Sequence, residues 1–177
     1  MTAPDLTLLE KAFDTYYPAI FRYFRYRGAD ADTANDLAAA TFERALARLA
    51  QFDGRKAKVQ TWLFTIAHNI AINHWKFETA HAAEALDGEL SMADETPLEE
   101  ALVLTQQKEQ VLLAMKSLDG RSRQVLALKF AGALTNRQIA VIHGLTESNV
   151  GVILYRALLK LRSLLIASMP TEARHDP

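Results

Sequence analysis

The sequence has no cysteine, no long hydrophobic run and almost no net charge. Because none of the 177 residues is a cysteine, a disulfide scaffold and a zinc site with thiolate ligands are both excluded. No apolar run approaches the roughly 18 residues of a membrane span, so we expect no transmembrane helix. The first residues lack the basic stretch and the apolar stretch of a signal peptide, and the sequence therefore predicts a cytoplasmic protein.

The net charge of −1, taken alone, argues against a nucleic-acid partner. Its distribution along the chain changes this interpretation. Residues 1–77 carry 10 basic and 8 acidic side chains, residues 78–100 carry 8 acidic and no basic ones, and residues 101–177 carry 10 basic and 5 acidic ones. Such an asymmetry is typical of a nucleic-acid-binding block beside an acidic segment. Charge alone leaves open a solvated linker between ordinary surfaces.

Apolar residues recur at helical spacing along nearly the whole chain, and no stretch alternates as a strand does. The polar residues 51–58 predict a loop, and the acidic residues 78–98 predict a flexible linker. The helices predicted before that linker lie at residues 6–28, with a break or a new first turn at Pro18, at residues 30–49 and at residues 59–77.

The C-terminal block carries the helix start and stop signals of a helix-turn-helix. Thr135 and Gln138 have the spacing of a capping box, Gly144 is a left-handed stop, and Thr146 caps the helix that follows. A short helix, a turn of three or four residues and a longer helix make up this motif. A plain αα-hairpin shows the same pattern, and the surrounding positive charge favours DNA binding. The helices predicted here lie at residues 99–118, 121–131, 135–143 and 146–166.

In a DNA-binding helix-turn-helix, the first residues of the second helix enter the major groove. Here these residues are Glu147, Ser148 and Asn149, whose side chains can hydrogen-bond to base edges. Basic side chains around them are predicted to contact phosphates, which hold position without reading sequence. These are Arg121, Arg123, Lys129, Arg137, Arg156 and Lys160.

Two blocks of sequence, in this order and at this separation, resemble one family. Asp36–Ala45, DLAAATFERA, is similar to the helix with which extracytoplasmic-function sigma factors grip the clamp of bacterial RNA polymerase. Thr61–Lys76, TWLFTIAHNIAINHWK, resembles the helix that opens and reads the minus-10 promoter element, and Leu118–Leu161 follows the pattern of the domain that reads the minus-35 element. The resemblance covers about residues 6–77 and 99–166.

The resemblance implies an all-α fold of two small helical domains, an N-terminal helical bundle and a C-terminal helix-turn-helix domain, joined by an acidic flexible linker. It implies a sigma factor that binds core RNA polymerase through the clamp coiled coil and the flap, recognises both promoter elements and helps to open the promoter. The resemblance implies an anti-sigma partner as well. It implies neither enzymatic activity nor a cofactor. The domains expected are residues 1–77, 78–98 as linker, 99–168, and 169–177 as tail.

The same resemblance implies three sets of site residues, among which Asn69 matches the position that contacts a base flipped out of the duplex. Polymerase binding falls to Asp36, Leu37 and Phe42. Contact with the minus-10 element falls to Arg55, Lys56, Lys58, Trp62, Asn69, Asn73 and Lys76. Contact with the minus-35 element falls to Arg123, Lys129, Thr135, Arg137, Glu147, Ser148, Asn149, Tyr155, Arg156 and Lys160.

The sequence departs from the family at two places. Ala39 and Ala40 stand where relatives often carry Gln-Glu, and Gly151 lies inside the recognition helix, where two basic positions are lost. Promoter preference therefore cannot be copied from relatives. Trp62 and Trp75 fit either a stacking platform for bases or the protein core.

Two other functions compete with this interpretation. A stand-alone helix-turn-helix regulator explains the C-terminal block and leaves the two N-terminal motifs unexplained. A metal-dependent enzyme would use His74, Glu78 and His81, which share one helical face, but no fourth ligand or general base is evident and no metal site is expected.

Overall fold

The protein is an all-helical molecule within the parts that the structure describes. A computed structural model describes the backbone of residues 3–82 and 99–168, and the side chains of residues 6–78 and 106–167. Most of the predicted acidic linker and the predicted tail lie outside these residues. In chain order the helices are α1 (Ala3–Arg27), α2 (Ala31–Ala47), a 3-10 turn (Leu49–Gln51), α3 (Val59–Ala82), α4 (Glu99–Lys116), α5 (Gly120–Phe130), α6 (Asn136–His143) and α7 (Glu147–Ser168).

Helices α1 to α3 form an N-terminal bundle around aromatic and small side chains. Asp30 starts α2 by accepting a hydrogen bond from the backbone N of Thr33 at 2.7 Å. Tyr23 and Phe64 are fully buried and meet edge to face, with ring centroids 5.8 Å apart. Ala38 of α2 is also fully buried, and its small side chain allows close approach to α1 and α3. This bundle buries one side of α3 between Thr61 and Ala71.

Two predicted helix boundaries differ from the structure. Helix α1 continues through Pro18 without a break. Ala12 and Ile20 are buried on either side of this exposed proline, so packing of both halves against the core keeps the helix continuous where the local signal predicts an interruption. Helix α3 extends to Ala82, five residues beyond the predicted end, because neither glycine nor proline interrupts it there.

The C-terminal unit, α4 to α7, contains the predicted helix-turn-helix. The capping box is confirmed, with the side chain of Thr135 accepting from the backbone N of Gln138 and the side chain of Gln138 accepting from the backbone N of Thr135. Gly144 ends α6 at φ 64°, a left-handed conformation that favours glycine. Ile139 and Val150 are fully buried and pack α6 against α7. These contacts fix where the start of α7 projects.

The N-terminal bundle and the C-terminal unit pack directly against each other. Helix α1 contacts α4 and α5, and α3 contacts α6. The buried core is therefore continuous from α1 to α7 among the described residues. No helix in the described ranges is long and apolar enough to cross a lipid bilayer.

Candidate nucleic-acid interfaces

The solvent side of α3 carries a row of polar side chains. Asn69, Asn73 and Lys76 are all exposed, and their i, i+4, i+7 spacing places them on one face of the helix. Leu63 and Ala67 on the opposite side are fully buried in the bundle. Because the core fixes the helix, the three polar side chains project together towards solvent.

The loop before α3 supplies positive charge beside this row. Lys56 and Lys58 are exposed. Arg55 is also exposed, and its guanidinium binds both carboxylate oxygens of Asp53, at 3.0 and 3.2 Å. These hydrogen bonds lower the pKa of Asp53. The Arg55–Asp53 pair thus partly neutralises the charge that the sequence suggested for this loop.

The two tryptophans of α3 pack against the protein. Trp62 is half-buried, and its ring centroid lies 4.9 Å from that of Phe52 in the loop. Trp75 is half-buried, and the guanidinium carbon of Arg27 lies 4.6 Å from its ring centroid. Trp62 therefore packs the loop against α3, and the ring of Trp75 covers the buried guanidinium of Arg27.

The first three side chains of α7 are exposed to solvent. Glu147, Ser148 and Asn149 are exposed, while the backbone N of Asn149 donates to Thr146 Oγ1 at 3.2 Å. This cap holds the backbone of the turn and leaves the three side chains in solvent. Further along the same helix, Tyr155, Arg156 and Lys160 are among the exposed polar side chains.

Of the remaining residues expected near the minus-35 element, some have exposed side chains and others have side chains that are hydrogen-bonded within the protein. Arg137 is exposed. Lys129 is half-buried and its Nζ donates to Asn136 Oδ1 at 3.1 Å, while the hydroxyl of Thr135 is used by the capping box. Arg123 differs most from the expected phosphate contact, because its guanidinium forms hydrogen bonds inside the protein.

Arg123 is directed towards backbone carbonyls inside the protein. Its Nη2 donates to Lys116 O at 2.6 Å and to Leu118 O at 2.8 Å. Its Nη1 donates to Arg27 O at 3.4 Å, and burial lowers its pKa. The guanidinium thus satisfies carbonyls at the end of α4 and touches the end of α1.

Helix α2 presents the expected polymerase-binding residues in different ways. Asp36 is exposed and Leu37 is half-buried. Phe42 is only 6% exposed and meets the ring of Phe13 edge on, with centroids 4.9 Å apart. Asp36 is available for direct contact, whereas Phe42 supports the surface from beneath.

Comparison with known proteins identifies the family. Residues 12–80 match the family described as Sigma-70 region 2, and residues 108–161 match Sigma-70, region 4. The chain is 31% identical over 166 residues to the RNA polymerase sigma factor YlaC of Bacillus subtilis, covering 93% of this chain and 95% of that protein. The chain belongs to the extracytoplasmic-function sigma factors. It functions in promoter recognition, and a stand-alone regulator is not favoured.

Further relatives agree with this assignment. The sigma factor BldN of Streptomyces coelicolor is 30% identical over 166 residues, which are 93% of this chain and 61% of BldN, so the chain spans less than two thirds of that relative. The fold is that of the sigma factor RpoE from Bartonella quintana, solved in complex with the anti-sigma factor NepR. The TM-score is 0.71 and the identity 19%, covering 90% of this chain and 98% of that one. CnrH, solved with the cytosolic domain of CnrY, gives a TM-score of 0.66 at 22% identity over 91% and 89% of the two chains.

One surface of this sigma factor was missed by the sequence analysis. A groove of about 730 Å³ runs between the start of α1 and α2. Leu6, Phe13 and Leu46 are each more than 40% exposed along it, and Glu10 and Glu43 stand at its edges. Leu6 and Phe13 belong to α1 and Leu46 to α2, and the sequence alone does not reveal how far each helix covers the apolar side chains of the other.

The alternative metal site gains no support from the described side chains. No three or more of their His, Asp and Glu side chains are grouped so that they could hold a metal ion. His74 Nε2 lies 3.4 Å from Glu78 Oε1, an i, i+4 contact on α3. The side chain of His81 lies outside the described residues.

Proposed function

We propose that this sigma factor captures the melted minus-10 strand on the exposed face of α3 and reads the minus-35 element with the first turn of α7. The observation that carries the proposal is the row of Asn69, Asn73 and Lys76, exposed on a helix whose other sides are held by the core. This sigma factor acts as a non-enzymatic initiation factor in the cytoplasm, with core RNA polymerase.

Promoter opening requires a base to leave the stack, which costs a few kcal/mol. The amide of Asn69 can donate and accept hydrogen bonds, and so can replace part of the base pairing that is lost. Lys76 on the same face and Lys56 and Lys58 of the loop would attract the phosphates of the single strand. Trp62 would act indirectly, because its contact with Phe52 positions that loop.

Recognition of the minus-35 element would combine base contacts with phosphate contacts. Glu147, Ser148 and Asn149 would face base edges in the major groove. The exposed Arg137, Arg156 and Lys160 would hold phosphates, with Tyr155 beside them. Lys129 and Thr135 would stabilise the helix-turn-helix, since Lys129 Nζ and Thr135 Oγ1 already have partners in the protein. Arg123 would brace α4, since its two Nη atoms already donate to backbone carbonyls.

Polymerase binding would use the solvent ridge of α2, with Asp36 and Leu37 at its surface and Phe42 underneath. The polymerase clamp coiled coil and the flap are the expected partners. An anti-sigma factor is a further proposed partner, because the sigma factor RpoE of Bartonella quintana, which has this fold, was solved in complex with the anti-sigma factor NepR.

The test separates promoter opening from binding. We expect Asn69→Ala to lower promoter melting, measured by permanganate reactivity of thymines, by about tenfold, the effect of one lost hydrogen bond to a base of about 1.4 kcal/mol. Binding to core polymerase should stay unchanged. The comparison variant Asn149→Ala should instead weaken binding to the minus-35 element. Equal losses of melting and of polymerase binding in Asn69→Ala would contradict the assignment.

A further inference from the structure

A groove of about 480 Å³ lies between α2 and α3 and has no role in the function proposed so far. We name it the α2–α3 groove; the residues that matter for its chemistry are Arg44, Ala47 and Arg48 of α2 with Ile70 and Asn73 of α3. Its volume falls in the range of about 300–1,000 Å³ that is typical of ligand pockets. Because Asn73 also belongs to the exposed row on α3, a strand bound along that row passes the mouth of the groove.

Two arginines give the α2–α3 groove its charge. Arg44 and Arg48 are exposed and stand one turn apart at the C-terminal end of α2, where the helix dipole favours cations. Among the described residues, no carboxylate oxygen lies within 4 Å of either guanidinium, although Glu43 also lines the groove. Like charges at this spacing repel each other, and an anion bound between them removes the repulsion. The two arginines therefore form an open cationic edge.

The floor of the α2–α3 groove is apolar, and an amide stands at its edge. Ile70, which is buried, and Ala47 form this floor. The exposed side chain of Asn73 has no hydrogen-bond partner among the described residues, so its amide can both donate and accept. An apolar floor, an amide and a cationic edge match the face of a base, the edge of a base and a phosphate. The groove thus has the chemistry to bind one nucleotide.

The position of the α2–α3 groove points to a nucleotide of the melted strand as its occupant. Asn69 and Asn73 are about one turn apart, about 6 Å along the axis of α3. Neighbouring nucleotides of one strand are about 3.4 Å apart along duplex DNA, and a strand that has left the duplex can stretch beyond that distance. A base held at Asn69 therefore brings the next nucleotide of the strand within reach of the groove. The strand also carries the negative charge that the cationic edge lacks.

We propose that the α2–α3 groove is a second nucleotide subsite for the melted minus-10 strand, next to the base held at Asn69. Arg44 and Arg48 bind the phosphate of this neighbouring nucleotide, because the fork of N–H groups on a guanidinium fits phosphate oxygens. The base of the same nucleotide lies on the apolar floor, with its edge at the amide of Asn73. This inference rests on the proposed function, since it requires the strand to run along α3.

Removal of the two arginines tests the phosphate contact. The probe is a single-stranded oligonucleotide with the minus-10 element of promoters that the parent holoenzyme selects from a random library. Holoenzyme assembled with Arg44→Ala/Arg48→Ala should bind it about tenfold more weakly than the parent. The slope of log affinity against log salt should become shallower by about 0.7, the value for one phosphate contact on a single strand. The matched control, Arg22→Ala, removes an exposed arginine of α1 outside the groove and should change neither quantity.

Missing bases and a filled groove test the base contact without a change of charge. An abasic nucleotide is placed at each position of the element in turn. Two neighbouring positions should each cost the parent about tenfold in affinity: one whose loss has no further effect in Asn69→Ala, and one whose loss has no further effect in Ala47→Leu. Leucine fills part of the groove and favours the helix, so the salt slope should stay unchanged. Ala50→Leu, at an exposed alanine outside the groove, is the matched control.

The outcomes separate the second subsite from the proposed function. If Asn69→Ala weakens binding of the oligonucleotide and the two-arginine variant binds it as the parent does, the subsite alone is overturned. It is also overturned if no abasic position loses its effect in Ala47→Leu. If the two-arginine variant binds core polymerase more weakly while its assembled holoenzyme binds the oligonucleotide normally, the groove is a polymerase surface and the subsite is wrong. If the parent holoenzyme binds the element no better than a scrambled strand, the proposed function fails and the subsite fails with it.

Discussion

Gly151 offers a sharp test of how the recognition helix is stabilised. It lies inside α7, and a Cβ added there would meet only Asn136 Nδ2, at an ordinary 3.8 Å. Nothing in the structure therefore requires glycine. Alanine should stabilise the folded state by about 0.4–1 kcal/mol, because glycine loses more backbone entropy than alanine on entering a helix. For a cooperative chain of this length that corresponds to a Tm rise of about 1–4 °C.

The matched control is the other glycine of the helix-turn-helix. Gly144 has φ 64°, and its Cβ position is also open, so the two sites differ in backbone conformation rather than in space. Gly144→Ala should destabilise by about 1–2 kcal/mol, the cost of a left-handed alanine. Urea unfolding followed by circular dichroism measures both variants. A Gly151→Ala protein that is no more stable than the parent would refute the reasoning, because it would mean that the α7 backbone needs glycine there.

Two further predictions concern pH and salt. Burial lowers the pKa of His68 to about 3 and that of His143 to about 4, so both bind protons mainly when unfolded. Stability is thus complete above about pH 6.5 and falls as pH drops towards 4, by up to about 1.4 kcal/mol per pH unit for each histidine. Urea midpoints should show this slope, and His68→Gln should flatten it; an unchanged slope would contradict neutral burial. Arg156→Ala should reduce the salt slope of promoter binding by about one unit, whereas Arg162→Ala on the same helix should not; equal effects would remove Arg156 from the phosphate contacts.

Local signals in the sequence predicted local structure well. The capping box of Thr135 and Gln138, the left-handed Gly144 and the cap at Thr146 all involve residues within four positions of each other, so the chain carries their geometry directly. The family resemblance was likewise confirmed, because it rests on two ordered motifs.

Features set by distant residues were missed. The continuity of α1 through Pro18 depends on the burial of Ala12 and Ile20 on either side of it. The role of Arg123 depends on a carbonyl of Arg27, 96 positions away, and the hydrogen bond from Gln60 reaches 72 positions along the chain. A basic side chain in a basic stretch of sequence predicts a phosphate contact. Only the folded structure shows that the guanidinium of Arg123 already donates its hydrogen bonds to backbone carbonyls.

The charge distribution has a further consequence in the folded molecule. Arg27 and Arg123 both lie at the junction of the two units, where Arg123 Nη1 donates to Arg27 O. Burial and, after it, the Coulomb repulsion from Arg27 lower the pKa of Arg123, against the attraction of Asp119. Because two guanidinium groups meet at this junction, packing and hydrogen bonds between the units have to offset their repulsion. The repulsion between the two guanidinium groups therefore opposes the contact between the units at this one place, while the shared apolar core and the neutral hydrogen bonds from Gln60 and Gln138 favour it.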